Sequence, residues 1–265
     1  MRLEYKFLLP NEKLNPLRER LMPYVRLDTF SQERPDKHYT VRSIYFDTLR
    51  LKHYNDKIEG IRTRKKVRIR AYNTLQADHP VFLEIKRKYE NYISKDRSIL
   101  KFDQLEQFLE GQNFDWSPLK STEKPDNFIN AQRFLYQVMR YHLQPTVLCV
   151  YEREAFYAES NPQLRITFDK NLRALQFPRI DQLKENQQLF QVLPHHFIME
   201  VKFRRGFAFW LRRILEDFNL TRQALSKYTM SLFLKNQRNP FFGRVDYAYL
   251  NRHSITRQPL RRNRF

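Results

Sequence analysis

From Arg2 to Leu9 the chain alternates, with Leu3, Tyr5, Phe7 and Leu9 on one face and Arg2, Glu4 and Lys6 on the other. Period two marks a strand half-buried against a core. The alternation returns over Tyr39–Asp47, Arg62–Tyr72, Val81–Lys88, Ser94–Leu100, Gln163–Asp169 and Phe197–Arg204. The run TVLCVYEREAFY from Thr146 is apolar on both faces in its first half and sets Tyr151, Arg153 and Ala155 on one face in its second. Its distance from the Gln163 strand fits a hairpin around Asn161-Pro162. About eight strands thus follow one another with few helices between them. Consecutive alternating strands predict an antiparallel sheet, and eight can close into a barrel.

Helical spacing is confined to the flanks. Asn11 can cap a short helix to about Met22 through Leu14, Leu17 and Leu21, and Asp103 with Glu106 forms a capping box for a helix ending at Gly111. Phe128 to Tyr141 reads as an amphipathic helix with Phe128, Leu135, Val138, Met139 and His142 near one stripe. A further helix follows Gly206, and a last one starts at Thr221 or a neighbour and carries Leu225, Tyr228, Met230, Leu232 and Phe233. Residues 112–126 and the stretch leading to Gly60 read as polar connections. The expected class is α+β, an antiparallel eight-stranded β-barrel tunnel with flanking helices over residues 1–235. Residues 236–265 form a basic, aromatic extension in which the hydrophobic period fails.

Charge sharpens this picture. Lys and Arg number 49 against 29 acids in 265 residues, a net charge of +20. Such an excess predicts an anionic partner: nucleic acid, polyphosphate or anionic lipid. The cations also fall in rows. Arg64, Lys66, Arg68 and Arg70 share one face of their strand, where like charges repel unless water or an anion sits against them. Lys95 with Arg97, Arg153 and Arg165 continue the pattern on other strands. Three strands carry an E-x-K unit, Glu4/Lys6, Glu84/Lys86 and Glu200/Lys202, whose spacing sets a carboxylate and an ammonium on one face. The carboxylate can hold a divalent metal and the ammonium a phosphate oxygen. A charged alternate face is more often the wet side of a sheet, and an exposed ion pair would explain each E-x-K unit alone. Six cation-bearing strands favour a shared anion, read here as a chain of phosphates.

Other chemistry is excluded or weak. Cys149, the single cysteine, allows no disulfide and no cysteine-based zinc site, and its apolar setting suits a buried structural thiol. Four glycines leave no Gly-rich phosphate loop, so phosphate must be held by side chains. The His195-His196 doublet reads as a loop feature. No apolar run approaches the ~20 residues that span a bilayer, and the expected location is cytoplasmic, with membrane association only through a partner. Nucleic acid is disfavoured because the strand aromatics are expected mostly on the apolar faces, away from the basic rows.

The stretches E4-Y-K6-F, S43-I-Y-F-D47, R68-I-R70-A-Y72, F82-L-E84-I-K86, Y151-E-R153-E-A-F156, L164-R-I-T-F-D169, M199-E-V-K202-F and S226-K-Y228, in this order, resemble the polyphosphate polymerase domain of the vacuolar transporter chaperone (VTC) family, within the triphosphate tunnel metalloenzyme (CYTH-like) superfamily. The resemblance implies a barrel whose basic lumen binds ATP and an inorganic polyphosphate or pyrophosphate. By match of motif, Lys6, Arg68, Arg70, Lys86, Arg153 and Arg165 would carry the transfer. Lys95 or Arg97, with Lys202, Ser226, Lys227 and Tyr151, would bind substrate, Tyr151 lying beside the nucleotide. Glu200 would hold Mn2+ or Mg2+, with Glu4 and Glu84 as the other candidate carboxylates. The implied reaction moves the γ-phosphate of ATP onto a growing chain. One departure is Ala224, where the family often has lysine. A triphosphatase of the same fold and a non-catalytic polyphosphate or inositol phosphate binding module remain the alternatives.

Overall fold

The computed structural model describes residues 3–236 apart from 91, 112–113, 121–124, 205 and 207, with side chains through Phe233. The basic extension expected over 236–265 lies almost wholly outside the described residues. Ten strands form one sheet: β1 (Leu3–Pro10), β2 (Val25–Leu27), β3 (Tyr39–Asp47), β4 (Thr63–Tyr72), β5 (Pro80–Tyr89), β6 (Tyr92–Lys101), β7 (Gln144–Ala158), β8 (Asn161–Gln176), β9 (Phe190–Gln191) and β10 (His196–Phe203). Eight α-helices accompany them among the described residues: α1 (Leu14–Leu21), α2 (Thr29–Gln32), α3 (Lys52–Ile58), α4 (Leu105–Glu110), α5 (Ser117–Lys120), α6 (Asn127–Arg140), α7 (Phe209–Asp217) and α8 (Lys227–Asn236).

Strand order is β1-β10-β8-β7-β3-β4-β5-β6, with β2 added to β7 and β9 to β8, and every pairing is antiparallel. Bulges at Tyr45/Phe46 and between Val150 and Glu152 interrupt the ladders of the central strands. Bulges bend a strand and increase its twist, which suits a sheet that curls.

The expected closed eight-stranded barrel is not what forms. The sheet is open, because β1 and β6 stand at its two ends and do not pair among the described residues. Other contacts reach the β1 side of the opening. Residues 221–226, expected as the start of the last helix, run beside β1, where the Gln223 amide donates to the Lys6 carbonyl at 2.8 Å. Lys86 of β5 reaches Glu4 of β1 at 3.4 Å.

Alternation makes three cores. On the convex side, Ile44, Val67, Ile69, Leu83 and Ile85 pack under Phe108 of α4 and Phe134 of α6. Phe7, Ile166, Phe168, Met199 and Val201 pack under Leu17 and Leu21 of α1 and Leu211 and Ile214 of α7. The third core lies inside the curl, where Tyr228, Met230 and Leu232 of α8 meet Val147, Cys149, Tyr151, Ala174 and Ile198. Cys149 is fully buried, its Sγ 3.3 Å from the Ser231 hydroxyl, and burial pushes the thiol up to about 11. That is the structural thiol its apolar setting predicted.

Two further departures follow from local chemistry. The polar connection before Gly60 contains α3, whose face of His53, Tyr54 and Lys57 carries no hydrophobic stripe. Its start is organised by the buried Asp47, which accepts from the amides of His53 and Tyr54, each at 2.9 Å. The same carboxylate accepts the Tyr228 hydroxyl, tying α3 to α8. At the other surprise, β8 runs on to Gln176 rather than stopping at Asp169, and its extension pairs with β7 and β9.

Candidate functional site

Register carries the polar rows onto the concave face. Residues opposite one another in an antiparallel pair share a face. Glu4 lies opposite Lys202 and Lys6 opposite Glu200. Arg68 lies opposite Glu84, and Lys66 opposite Lys86. Arg153 lies opposite Asp169. Inside the curl these rows surround a cavity of about 540 Å³, lined by thirteen lysines and arginines and by two acids, Glu4 and Glu200.

Of the residues singled out from sequence, the structure brings Lys6, Arg68, Arg70, Lys86, Arg153, Lys202, Tyr151, Ser226, Lys227, Glu4 and Glu200 to this cavity. Each cation near the acids is held by one. Lys6 lies 3.2 Å from Glu4 and 3.4 Å from Glu200. Lys202 is 3.2 Å and Lys227 2.9 Å from Glu200. Behind them Asp169 takes Arg153 in a two-pronged pair at 2.6 and 2.7 Å and also contacts Lys227. A planar guanidinium fork against a carboxylate fixes orientation as well as charge.

These contacts set protonation. Lys227, Lys6, Lys202 and Arg153 hold Glu200 well below the usual carboxylate range, although burial alone would raise it. Asp169 is lowered by Arg153 and Lys227, against burial and the nearby Glu200. Lys227 is raised by Asp169 and Glu200 against its desolvation. Burial lowers Lys202 to about 8 in spite of both glutamates.

Four of the expected residues are placed differently. Glu84 is 1% exposed and saturated by Arg68 at 2.6 Å, Lys95 at 2.5 Å and Arg97 at 2.7 Å. It therefore anchors three cations beside the cavity and is not brought to Glu4 and Glu200 as a third metal ligand. Lys95 and Arg97 share that anchor and do not line the cavity. Arg165 turns to Asp28 at 2.8 Å and the Tyr39 hydroxyl at 3.2 Å, outside the lining. Tyr151 reaches the cavity but is 2% exposed, with Lys227 Nζ 4.7 Å and Arg153 Cζ 5.3 Å from its ring centroid. Cations occupy the setting expected of a base.

The expectation for aromatic residues also changes. Tyr39, Tyr45, Tyr72, Phe82 and Tyr151 share the cation-bearing face by register. Tyr45 stacks on Tyr228 at 5.1 Å and Arg97 covers Phe82 at 4.4 Å, so protein groups already occupy these rings. Sequence reasoning gave no role to Lys57, Arg64, Lys66, Lys88 and Arg222, all of which line the cavity. The period-two row already contained Arg64 and Lys66, and Lys88 continues the next one. Nothing in the sequence signalled Lys57, which arrives on α3.

Among the described residues no group of three acids, histidines or cysteines is placed to cage a metal. Glu4 and Glu200 are nevertheless close enough to act on each other's charge and face one cavity. A magnesium-like ion uses one or two carboxylates together with substrate phosphates. The pair fits a cation that arrives with phosphate, not one held by protein alone.

A curled antiparallel sheet with a cation-lined interior and facing glutamates is the architecture of the triphosphate tunnel metalloenzymes. The VTC domain matches residues 1–234, and the chain belongs to that family. It is similar to vacuolar transporter chaperone complex subunit 2 of Saccharomyces cerevisiae, 24% identical over 151 residues that make up 50% of this chain and 18% of that protein. The chain therefore spans under a fifth of that relative. Among solved structures, the PH1819 protein of Pyrococcus horikoshii OT3 aligns with a TM-score of 0.44 and 14% identity over 89% of this chain and 99% of that one. HpAC1 from Hippeastrum, described as revealing a dominant triphosphatase activity, aligns at 0.46 and 13% over 88% and 95%.

Proposed function

We propose that this domain is a polyphosphate polymerase, transferring the γ-phosphate of ATP to the end of an inorganic phosphate chain in a metal-dependent reaction. The observation that carries the reading is the cavity itself, with thirteen cations and two facing glutamates converging on one space. Family membership supports phosphoryl-transfer chemistry of this kind. Such transfer asks a protein for positioning and charge stabilisation rather than for a nucleophile of its own.

A terminal oxygen of the chain attacks the γ-phosphorus. That P–O bond forms as the bond to the β–γ bridging oxygen breaks, and ADP leaves with the electron pair. Arg68 and Arg70 flank the path from β4. Arg68 is oriented by Glu84 and the Tyr45 hydroxyl, and Arg70 donates to Ser43 Oγ at 3.1 Å. Lys86 from the neighbouring β5, and Lys6, Lys202 and Lys227 from β1, β10 and α8, offset charge on the equatorial oxygens. A divalent cation held by Glu200, Glu4 and phosphate oxygens would supply further neutralisation of the leaving group. The α8 plug and the apolar core beneath it keep bulk water from one end, which favours transfer over hydrolysis.

No helix among the described residues is long and apolar enough to cross a membrane. Association with a separate membrane protein belongs to the same proposal, supported by the name of the yeast relative.

The test is to incubate the chain with ATP, a manganese or magnesium salt and pyrophosphate, beside Arg70→Ala and Glu200→Ala, and to resolve products by length. Metal-dependent long chains, lost in both variants, are expected. Release of free phosphate alone would move the assignment to a triphosphatase, and binding without turnover to a sensing module.

A further inference from the structure

On α6, apolar side chains occupy two faces. The inner face packs Ala131, Phe134 and Val138 into the convex core. The amphipathic stripe read from sequence includes Met139, which the structure turns outward, 43% exposed, against Gly111 at the end of α4. Ile129 at 45% and Tyr136 at 59% stand on the same outer face. Exposed apolar residues scattered singly are ordinary, whereas a repeat along one helix face is not. Here the repeat is exact in sequence: Ile129 and Tyr136 are seven residues apart, as are Gln132 and Met139, and Arg133 and Arg140. These are the a, d and e positions of a heptad, the seam and flank that one helix presents to another.

Charge decides what fits the seam. No residue of α6 is acidic. Arg140 rests over the Tyr141 ring at 5.9 Å and forms no ion pair among the described residues. Beyond the arginine flank stand Lys65, which donates to Gln137 Oε1 at 3.3 Å, and Arg87, opposite it in the ladder. Asp96 on that flank is taken by Arg87 at 2.6 Å, with Arg133 at 4.0 Å. The other flank is closed by α4, which carries the exposed Glu106 and Glu110. A second copy of the chain is a poor occupant, because α6 against α6, run in either direction, gives Arg133 and Arg140 no carboxylate to meet. A helix with an apolar seam and an acidic flank satisfies both the seam and the arginines, since e-position charges choose the partner. Tyrosine and arginine are also the residue types that carry most binding energy at protein interfaces.

We propose that the outer face of α6, built from Ile129, Arg133, Tyr136, Met139 and Arg140, is a docking site for a partner helix whose apolar seam is flanked by acidic residues. The face lies on the convex side of the sheet, away from the cavity, so the contact is independent of the phosphate chemistry and goes beyond it. From Ile129 to Arg140 the seam runs about 16 Å at ~1.5 Å per residue. A contact of that extent is small, which suits reversible docking rather than a permanent complex.

The probe is a labelled synthetic helix of a few heptads with leucine at a and d and glutamate at e and g. Beside it are a scrambled peptide of the same composition and a copy with lysine in place of glutamate. Like charges at e and g keep each seam peptide from pairing with itself. Binding is read by fluorescence anisotropy and its place by hydrogen exchange at α6 amides. The proteins are wild type, Ile129→Ser/Tyr136→Ser and Arg133→Glu/Arg140→Glu, all exposed positions, with folding checked by circular dichroism. Wild type is expected to bind the glutamate seam at least about tenfold more tightly than the scrambled peptide, a difference of about 1.4 kcal/mol, with slowed exchange along α6. The serine pair should remove that preference, and the charge-reversed pair should move it to the lysine seam. The proposal is overturned if wild type does not distinguish seam from scramble, if the folded serine pair keeps the preference, or if the reversed pair still favours glutamate. A wild-type dimer that the serine pair dissociates would give the face to a second copy and overturn it as well. Turnover is not read, so these outcomes bear on the α6 face alone.

Discussion

Lys66 is the residue at which the requirements of folding and of ligand binding are opposed. Its ammonium faces Lys6, Lys86, Lys57 and Arg68, and among the described residues it donates to Ser226. Two like charges ~7 Å apart at an effective dielectric of ~20 repel by ~2 kcal/mol. Partial neutralisation and screening leave a fraction of that for each neighbour. Losing the Ser226 hydrogen bond costs ~1 kcal/mol. Replacing Lys66 by Met, which keeps the stem and drops the charge, is therefore expected to stabilise the protein by ~1–3 kcal/mol in ligand-free buffer. For a domain of this size each kcal/mol moves the midpoint by ~2–4 °C, so the thermal transition should rise by several degrees. Added polyphosphate stabilises through RT ln(1 + [L]/Kd). The wild-type transition should then climb past that of Lys66→Met as the ligand is titrated. Differential scanning calorimetry across a polyphosphate series reads both effects. A lower ligand-free midpoint together with an undiminished polyphosphate shift would refute the reasoning.

Other consequences are equally direct. Asp169→Asn leaves Arg153 and Lys227 with less buried countercharge and should cost ~3–5 kcal/mol, read by urea unfolding. In wild type the depressed carboxyls of Asp169 and Glu200 contribute stability that is present above their unfolded values near ~4. That stability is lost as pH falls through the lower folded values, so acid unfolding should begin below pH ~4 and steepen downward. Burial, with Arg64, Lys6 and Lys88 facing it, lowers Lys57 to about 8. Bound phosphate would keep it protonated, so affinity should fall as pH rises through about 8, by up to ~tenfold per unit before levelling near 10.5. Lys57→Arg should flatten that slope in binding titrations, and an unchanged slope would remove Lys57 from the site. Tyr228→Phe withdraws a donor from the buried Asp47 that holds α3 to α8. It should cost ~1–3 kcal/mol and speed hydrogen exchange at α3 amides, and exchange at the wild-type rate would count against the tether.

Strand alternation was legible because each strand puts one face on a packed core and the other on charge. Leu3/Phe7, Val67/Ile69 and Leu83/Ile85 against Glu4/Lys6, Arg68/Arg70 and Glu84/Lys86 needed no tertiary information. The same period brought nine expected strand residues to the cavity, with Ser226 and Lys227 arriving from the start of α8, and it contained Arg64 and Lys66 without showing what they face. Lys57 was illegible because α3 carries no apolar stripe and begins on amide bonds to Asp47, a contact that sequence spacing does not encode.

By itself the sequence determined the antiparallel character of the sheet, the cation-bearing faces and the large positive charge, because period two and net charge are local, additive properties of the chain. Only the tertiary structure decided that the sheet stays open between β1 and β6, with residues 221–226 running beside β1. It also decided which carboxylate meets which cation, sending Glu84 to Arg68, Lys95 and Arg97 while Glu4 and Glu200 face the cavity together. Those outcomes depend on curvature and on distances between side chains remote in the chain, and an alternating pattern is the same whichever way a sheet curls.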